Sequence, residues 1–123
     1  MLLDKALFNS DISDQRVLVQ LAQDVGMETL ETLIQLFIGE LATLSARLSD
    51  AITHSNTKEI QQVVHVLKNS AALFGAMPLA ILAEQLHGTQ SLSEAQQFAA
   101  AQTIQQKIAA SRNAYQQLVT RTS

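Results

Sequence analysis

Between Met27 and His54 the apolar residues Leu30, Ile34, Phe37, Ile38, Leu41, Leu44, Leu48 and Ile52 follow one another three or four positions apart. That spacing keeps step with the 3.6-residue turn of an α-helix and predicts one long helix with a single buried stripe. The same rhythm recurs after the polar turn Ser55-Asn56-Thr57. From Thr57 onward, Ile60, Val63, Val64, Leu67, Ala71 and Phe74 predict a second core-facing helix. Gly75-Ala76-Met77-Pro78 stops it, because Gly accepts a left-handed cap and Pro suits the first turn of the helix that follows. That next helix runs from Pro78 to about Leu86, with Leu79, Leu82, Ala83 and Leu86 expected inward, and His87-Gly88-Thr89-Gln90 breaks it. Ser93 caps a last helix to about Val119, whose stripe is Phe98, Ala101, Ile104, Ile108, Tyr115 and Leu118.

Towards the N-terminus, a helix capped by Ser13 or Asp14 ends at Gly26, and Met1 to Asn9 is a mixed apolar stretch compatible with a short helix. Four substantial helices joined by short connections pack most economically as an up-and-down antiparallel bundle. The expected fold is therefore all-α: an antiparallel four-helix bundle with a short N-terminal helical segment, one domain over residues 1–123. Gly39, inside the long second helix, is expected to permit a close helix crossing.

Composition narrows the chemistry. Of 123 residues, 47% are hydrophobic and 15% charged, which suits a folded chain with a core of its own. Aromatics make up 4%, the net charge is −3, and the eight basic residues are scattered. Neither a base-stacking platform nor a phosphate-binding patch follows from that, so nucleic acid is set aside as a partner. Without cysteine there is no thiol chemistry and no thiolate metal site. The start Met1-Leu2-Leu3-Asp4 does not read as a secretory signal, and no apolar run approaches the roughly 20 residues that cross a bilayer. The expectation is a cytoplasmic protein with no membrane contact and no metal site; His54, His65 and His87 lack the spacing of ligands on one helix.

The most informative polar residue is His65. With Val64 and Leu67 turned to the core, His65 lies about 100° round from Val64, at the margin of the stripe. Gln61, Lys68 and Ala72 are its neighbours one turn or two away. A reachable neutral imidazole, a cation one turn along and small neighbours are what a phosphoryl-accepting side chain needs. Counting back across the hairpin from Ala76 places His87 opposite His65, where it, or Gln85 or Gln90, could hydrogen-bond the His65 ring and hold one tautomer. Taken alone, each residue has a plainer reading: a boundary histidine, a solvated lysine, and a glycine where a helix ends.

The run His65-Val66-Leu67-Lys68-Asn69-Ser70-Ala71-Ala72-Leu73-Phe74-Gly75-Ala76 resembles the active-site helix of histidine phosphotransfer (HPt) domains, whose pattern is His, any residue, Leu, Lys, a small-residue run, and Gly ten positions after the His. Glu84 stands where these domains often carry a Glu on the next helix. Within the family, Leu36-Phe37-Ile38-Gly39-Glu40-Leu41 and Arg112-Asn113-Ala114-Tyr115 are similar to the free-standing relay proteins of bacterial quorum sensing.

The resemblance implies that His65 is the phosphoacceptor and Lys68 the phosphate-stabilising cation. Leu67 would be the buried residue of the motif, and Gly75 would shape the hairpin. By their positions around His65, Gln61, Asn69, Ala72 and His87 are candidates for the binding face. The resemblance implies a phosphorelay carrier. A nucleotide-binding domain does not fit in this length, so no kinase activity on ATP is expected, and a site on one exposed face favours a monomer. The donor would be the receiver domain of a hybrid sensor kinase, the recipient a response regulator, and Mg²⁺ would come with the receiver. Asn69 departs from the family, which usually has a very small residue there, and bears on partner choice. A different class stays open: a helical adaptor or self-association module in which His65 is incidental.

Overall fold

The computed structural model describes residues 15–87 and 92–120, and all regular structure among them is helical. The helices are α1 (Gln15–Val25), α2 (Met27–Thr53), α3 (Thr57–Leu73), α4 (Met77–Leu86) and α5 (Glu94–Thr120). The expected segment Met1 to Asn9, the caps Ser13 and Asp14, and Gly88, Thr89 and Gln90 lie outside the described residues.

Local chemistry sets each boundary. Gly26 separates α1 from α2 at φ +86° with ψ 156°, a region open essentially to glycine alone. The Asn56 side chain accepts the Glu59 N–H at 3.1 Å and caps α3. At the other end of α3, Gly75 takes φ +77°, the Ala76 N–H donates to Ala71 O at 2.8 Å and the Gly75 N–H to Ala72 O at 3.2 Å. This pair of bonds satisfies two carbonyls that the helix end would otherwise strand. Ser93 caps α5 reciprocally: its Oγ accepts the Gln96 N–H at 3.2 Å while its own N–H donates to Gln96 Oε1 at 3.0 Å.

Helices α2 to α5 form the antiparallel bundle, and α1 packs on α2. Side-chain register fixes the directions. Phe37 of α2 meets Tyr115 of α5 edge-on at 5.2 Å between ring centres, whereas Ser45 and Gln105 pair further along, so the two helices run oppositely. In that pair Ser45 Oγ donates to Gln105 Oε1 at 2.8 Å and Gln105 Nε2 returns a bond to Ser45 O at 2.9 Å. Phe37 also stacks on Phe74 at 4.5 Å, and the Tyr115 hydroxyl donates to Phe74 O at 2.6 Å. An Arg47–Glu59 ion pair at 2.7 Å joins α2 to α3; being partly solvated, it is worth at most about 1 kcal/mol.

The stripes of α2 and α3 are buried as expected, except that Ile38 and Ile52 sit at the core's edge and Ala51 joins it. Three expectations change. In α4 the buried set is Leu79, Ala80, Ala83 and Leu86, with Leu82 only half-buried. Its first seven residues are all apolar, so no polar side marks the rotation of this helix. Gly39 is exposed, and a Cβ added there would meet nothing within 4 Å, so it serves no close crossing. Phe98 is half-buried, and Ser111, polar and absent from the expected stripe, is buried among the α5 core positions.

Candidate functional site

The α3–α4 hairpin determines where the polar residues of α3 can reach. Val63, Val64 and Leu67 are fully buried, which turns His65 outward. Lys68, one turn on, is half-buried. The hairpin then returns α4 antiparallel, and its last residue is followed by His87, half-buried in an extended conformation (φ −67°, ψ 124°). This places the His87 ring 4.8 Å from the His65 ring, centre to centre, with 35° between planes.

The hairpin count thus put the two histidines together, but the contact is of another kind than expected. His87 does not hydrogen-bond the His65 ring; its Nδ1 lies 3.0 Å from Lys68 Nζ. An ammonium can only donate, so Nδ1 is the acceptor and His87 is neutral with its proton on Nε2. Its pKa is pushed below the usual value for histidine, first by loss of hydration and then by the nearby charge of Lys68 and by His65. Gln90 lies outside the described residues, and Gln85 is exposed.

Gln61 and Asn69 are placed differently from each other. Gln61, half-buried, donates from Nε2 to Leu86 O at 3.1 Å and reaches Gln97 Oε1 at 3.5 Å, tying the end of α4 to α3 and α5. Its amide therefore braces the loop that carries His87. Asn69 is exposed and turns back on its own helix, donating from Nδ2 to His65 O at 3.3 Å. Ala72 is exposed two turns beyond His65, Leu67 is buried beneath, and Gly75 forms the turn. Glu84 is exposed on α4. Val66 and Leu73, at helical spacing around Asn69, leave an apolar margin beside the site; Leu73 is 60% exposed.

The Lys68–His87 bond was not foreseen from the sequence, although both residues were candidates. Nor was the Gln61 bridge. A signal for it existed, since the last carbonyls of a ten-residue helix need donors from elsewhere. Chemically, the constellation is an exposed imidazole with a cation one turn away, held by a second, neutral imidazole. Among the described residues no group of three or more His, Asp or Glu side chains converges as a metal site would.

The sequence matches the Hpt domain family over residues 32–120. It is 28% identical over 68 residues to the phosphorelay protein LuxU of Vibrio harveyi, covering 55% of this chain and 60% of that protein. Against LuxU of Vibrio cholerae the identity is 33% over 66 residues, covering 54% of this chain and 58% of the other. The aligned part thus spans about six tenths of the length of these relatives. The fold matches the crystal structure of histidine-containing phosphotransfer protein B of Pseudomonas aeruginosa with a TM-score of 0.81, at 20% identity, over 92% of this chain and 98% of that one.

Proposed function

The chain belongs to the Hpt domain family, and on that premise we propose that it is a phosphorelay carrier that accepts a phosphoryl group on His65 from a receiver aspartate and passes it to another. The reading rests on one observation: His65 is exposed on α3 within the matched segment, with Lys68 one turn along the same face. The Nε2 lone pair attacks the phosphorus of an aspartyl phosphate. An N–P bond forms as the P–O bond breaks, and the electron pair leaves on the aspartate carboxylate. Charge gathers on the three equatorial oxygens in such a step, and the Lys68 ammonium is the group of this chain that meets it. The reverse path delivers the phosphoryl group to a second receiver.

In this reading Mg²⁺ belongs to the receiver, and the chain carries phosphate without using ATP. A hybrid kinase would feed it and a response regulator would draw from it, as part of quorum sensing or a similar circuit, with the carrier acting as a monomer in the cytoplasm. Val66, Leu73, Ala72 and Asn69 form the surface a receiver would cover, and Asn69 would tune which receiver fits.

The test is transfer from ³²P-labelled phospho-receivers in the presence of Mg²⁺, to the wild type and to His65→Gln. Acid-labile, base-stable label on the wild type alone is expected. Label retained by His65→Gln would overturn the assignment. A binding partner that engages both proteins equally, with neither labelled, would favour the adaptor reading.

A further inference from the structure

We propose that His87 is a positioning residue linked to phosphate loading: neutral, it holds the Lys68 ammonium beside His65, and it takes up a proton when His65 carries a phosphoryl group. This deepens the reading of His65 as phosphoacceptor and rests on it. The geometry makes His87 sensitive to charge on both neighbours. Its Nδ1 lies 3.0 Å from Lys68 Nζ, and its ring is 4.8 Å from the His65 ring. A protonated His87 has no lone pair to offer Lys68 and would set two cations against each other, so in the unloaded protein the neutral form is favoured.

A phosphoryl group on His65 reverses that field. It brings between one and two negative charges to the ring that His87 touches, as phosphoryl groups on side chains do near neutral pH. Lys68 alone supplies one positive charge; protonating His87 supplies a second, and the Lys68 ammonium is then drawn to the phosphoryl oxygens instead of to Nδ1. The other groups nearby do not alter the sign. From α3 the titratable groups are His65 and Lys68, and α4 adds exposed Glu84. The first turn of α5 adds exposed Glu94, and Gln97, which approaches Gln61, is uncharged. Residues 88–91, which follow His87, carry no charge.

Since the loaded protein binds the extra proton, acid favours loading. One linked proton limits this contribution to about tenfold in the loading equilibrium per pH unit.

The experiment measures the equilibrium partition of phosphate between a phospho-receiver and the carrier, and the rate of loading, from about pH 8 to about pH 6, the range in which histidine titrates. Wild type is compared with His87→Gln, which keeps an acceptor for Lys68 but has no titrating proton, and with His87→Ala, which has neither. Pairing each variant with the same receiver cancels the pH dependence of the receiver and of the phosphohistidine itself. The ratio of the wild-type partition to that of His87→Gln is expected to rise several-fold as the pH falls. His87→Ala is expected to load more slowly than His87→Gln at the alkaline end, where positioning alone differs. A ratio that stays flat across the range would overturn the proton link, and equal rates for the two variants would overturn the positioning. If the wild type takes no phosphate from receivers or from phosphoramidate, the His65 reading falls and this inference with it. Loading with a flat ratio removes only the inference. Far-UV circular dichroism of each variant separates these outcomes from loss of fold.

Discussion

Replacing Tyr115 by Phe removes one oxygen from a place where the structure leaves little to compensate for it. The Tyr115 hydroxyl donates to Phe74 O at 2.6 Å across 41 residues of sequence, joining α5 to the turn that ends α3. Both residues are buried, and none of the turn's backbone N–H groups donates to that carbonyl. The Phe ring keeps the edge contact with Phe37, so no cavity opens and the packing contribution is unchanged. What is lost is a neutral hydrogen bond, worth about 1 kcal/mol net, together with the cost of leaving a buried acceptor unpaired. The sum is about 2 kcal/mol. For a domain of this length, that lowers the thermal midpoint by roughly 6–8 °C. Urea unfolding followed by far-UV circular dichroism measures it directly, and the slope with denaturant should not change, because the buried surface is the same. A loss below about 0.5 kcal/mol would refute the reasoning, since it would mean the Phe74 carbonyl finds another donor.

Two further perturbations test other statements about the fold. Gly39→Ala should stabilise the protein by about 0.5–1 kcal/mol, read from the same urea transitions, because the position is helical and the added methyl group meets no neighbour; a loss of stability would show that the backbone there needs glycine. Below pH about 6.5 the wild type should lose more stability than His87→Gln. The folded pKa of His87 lies below the unfolded one, so the unfolded chain binds more protons, and its contribution is complete above the unfolded value and lost as pH falls through the folded one. Urea midpoints on either side of that window measure the difference, and parallel losses in the two proteins would contradict it.

The helices could be read from the sequence wherever one residue type broke a symmetry. Ser93 and Gly75 marked ends because an orphan N–H needs an oxygen acceptor and a left-handed turn needs no Cβ. The stripes of α2 and α3 showed because polar residues interrupt them at helical period. In α4 that contrast is missing, and the choice of Ala80 over Leu82 for the core depends on how the hairpin twists. Gly39 misled because a glycine in a helix is equally compatible with a close crossing and with open solvent, and only the neighbouring helix decides. The proximity of His65 and His87 followed from counting across the turn. The bond from Lys68 to His87 did not, since it depends on the rotamers of a lysine on α3 and of a histidine just beyond the end of α4.

The Lys68–His87 contact closes a loop of 19 residues, while the Ser45–Gln105 pair closes one of 60. With closure entropy growing as (3/2)RT ln n, the shorter loop is about 1 kcal/mol cheaper to close. The groups around His65 thus belong to a local part of the topology, a single hairpin with a glycine at its tip. Sequence drift in α1, or in the far half of α5, acts on how firmly that hairpin is held, while the relation of its two histidines is set within it.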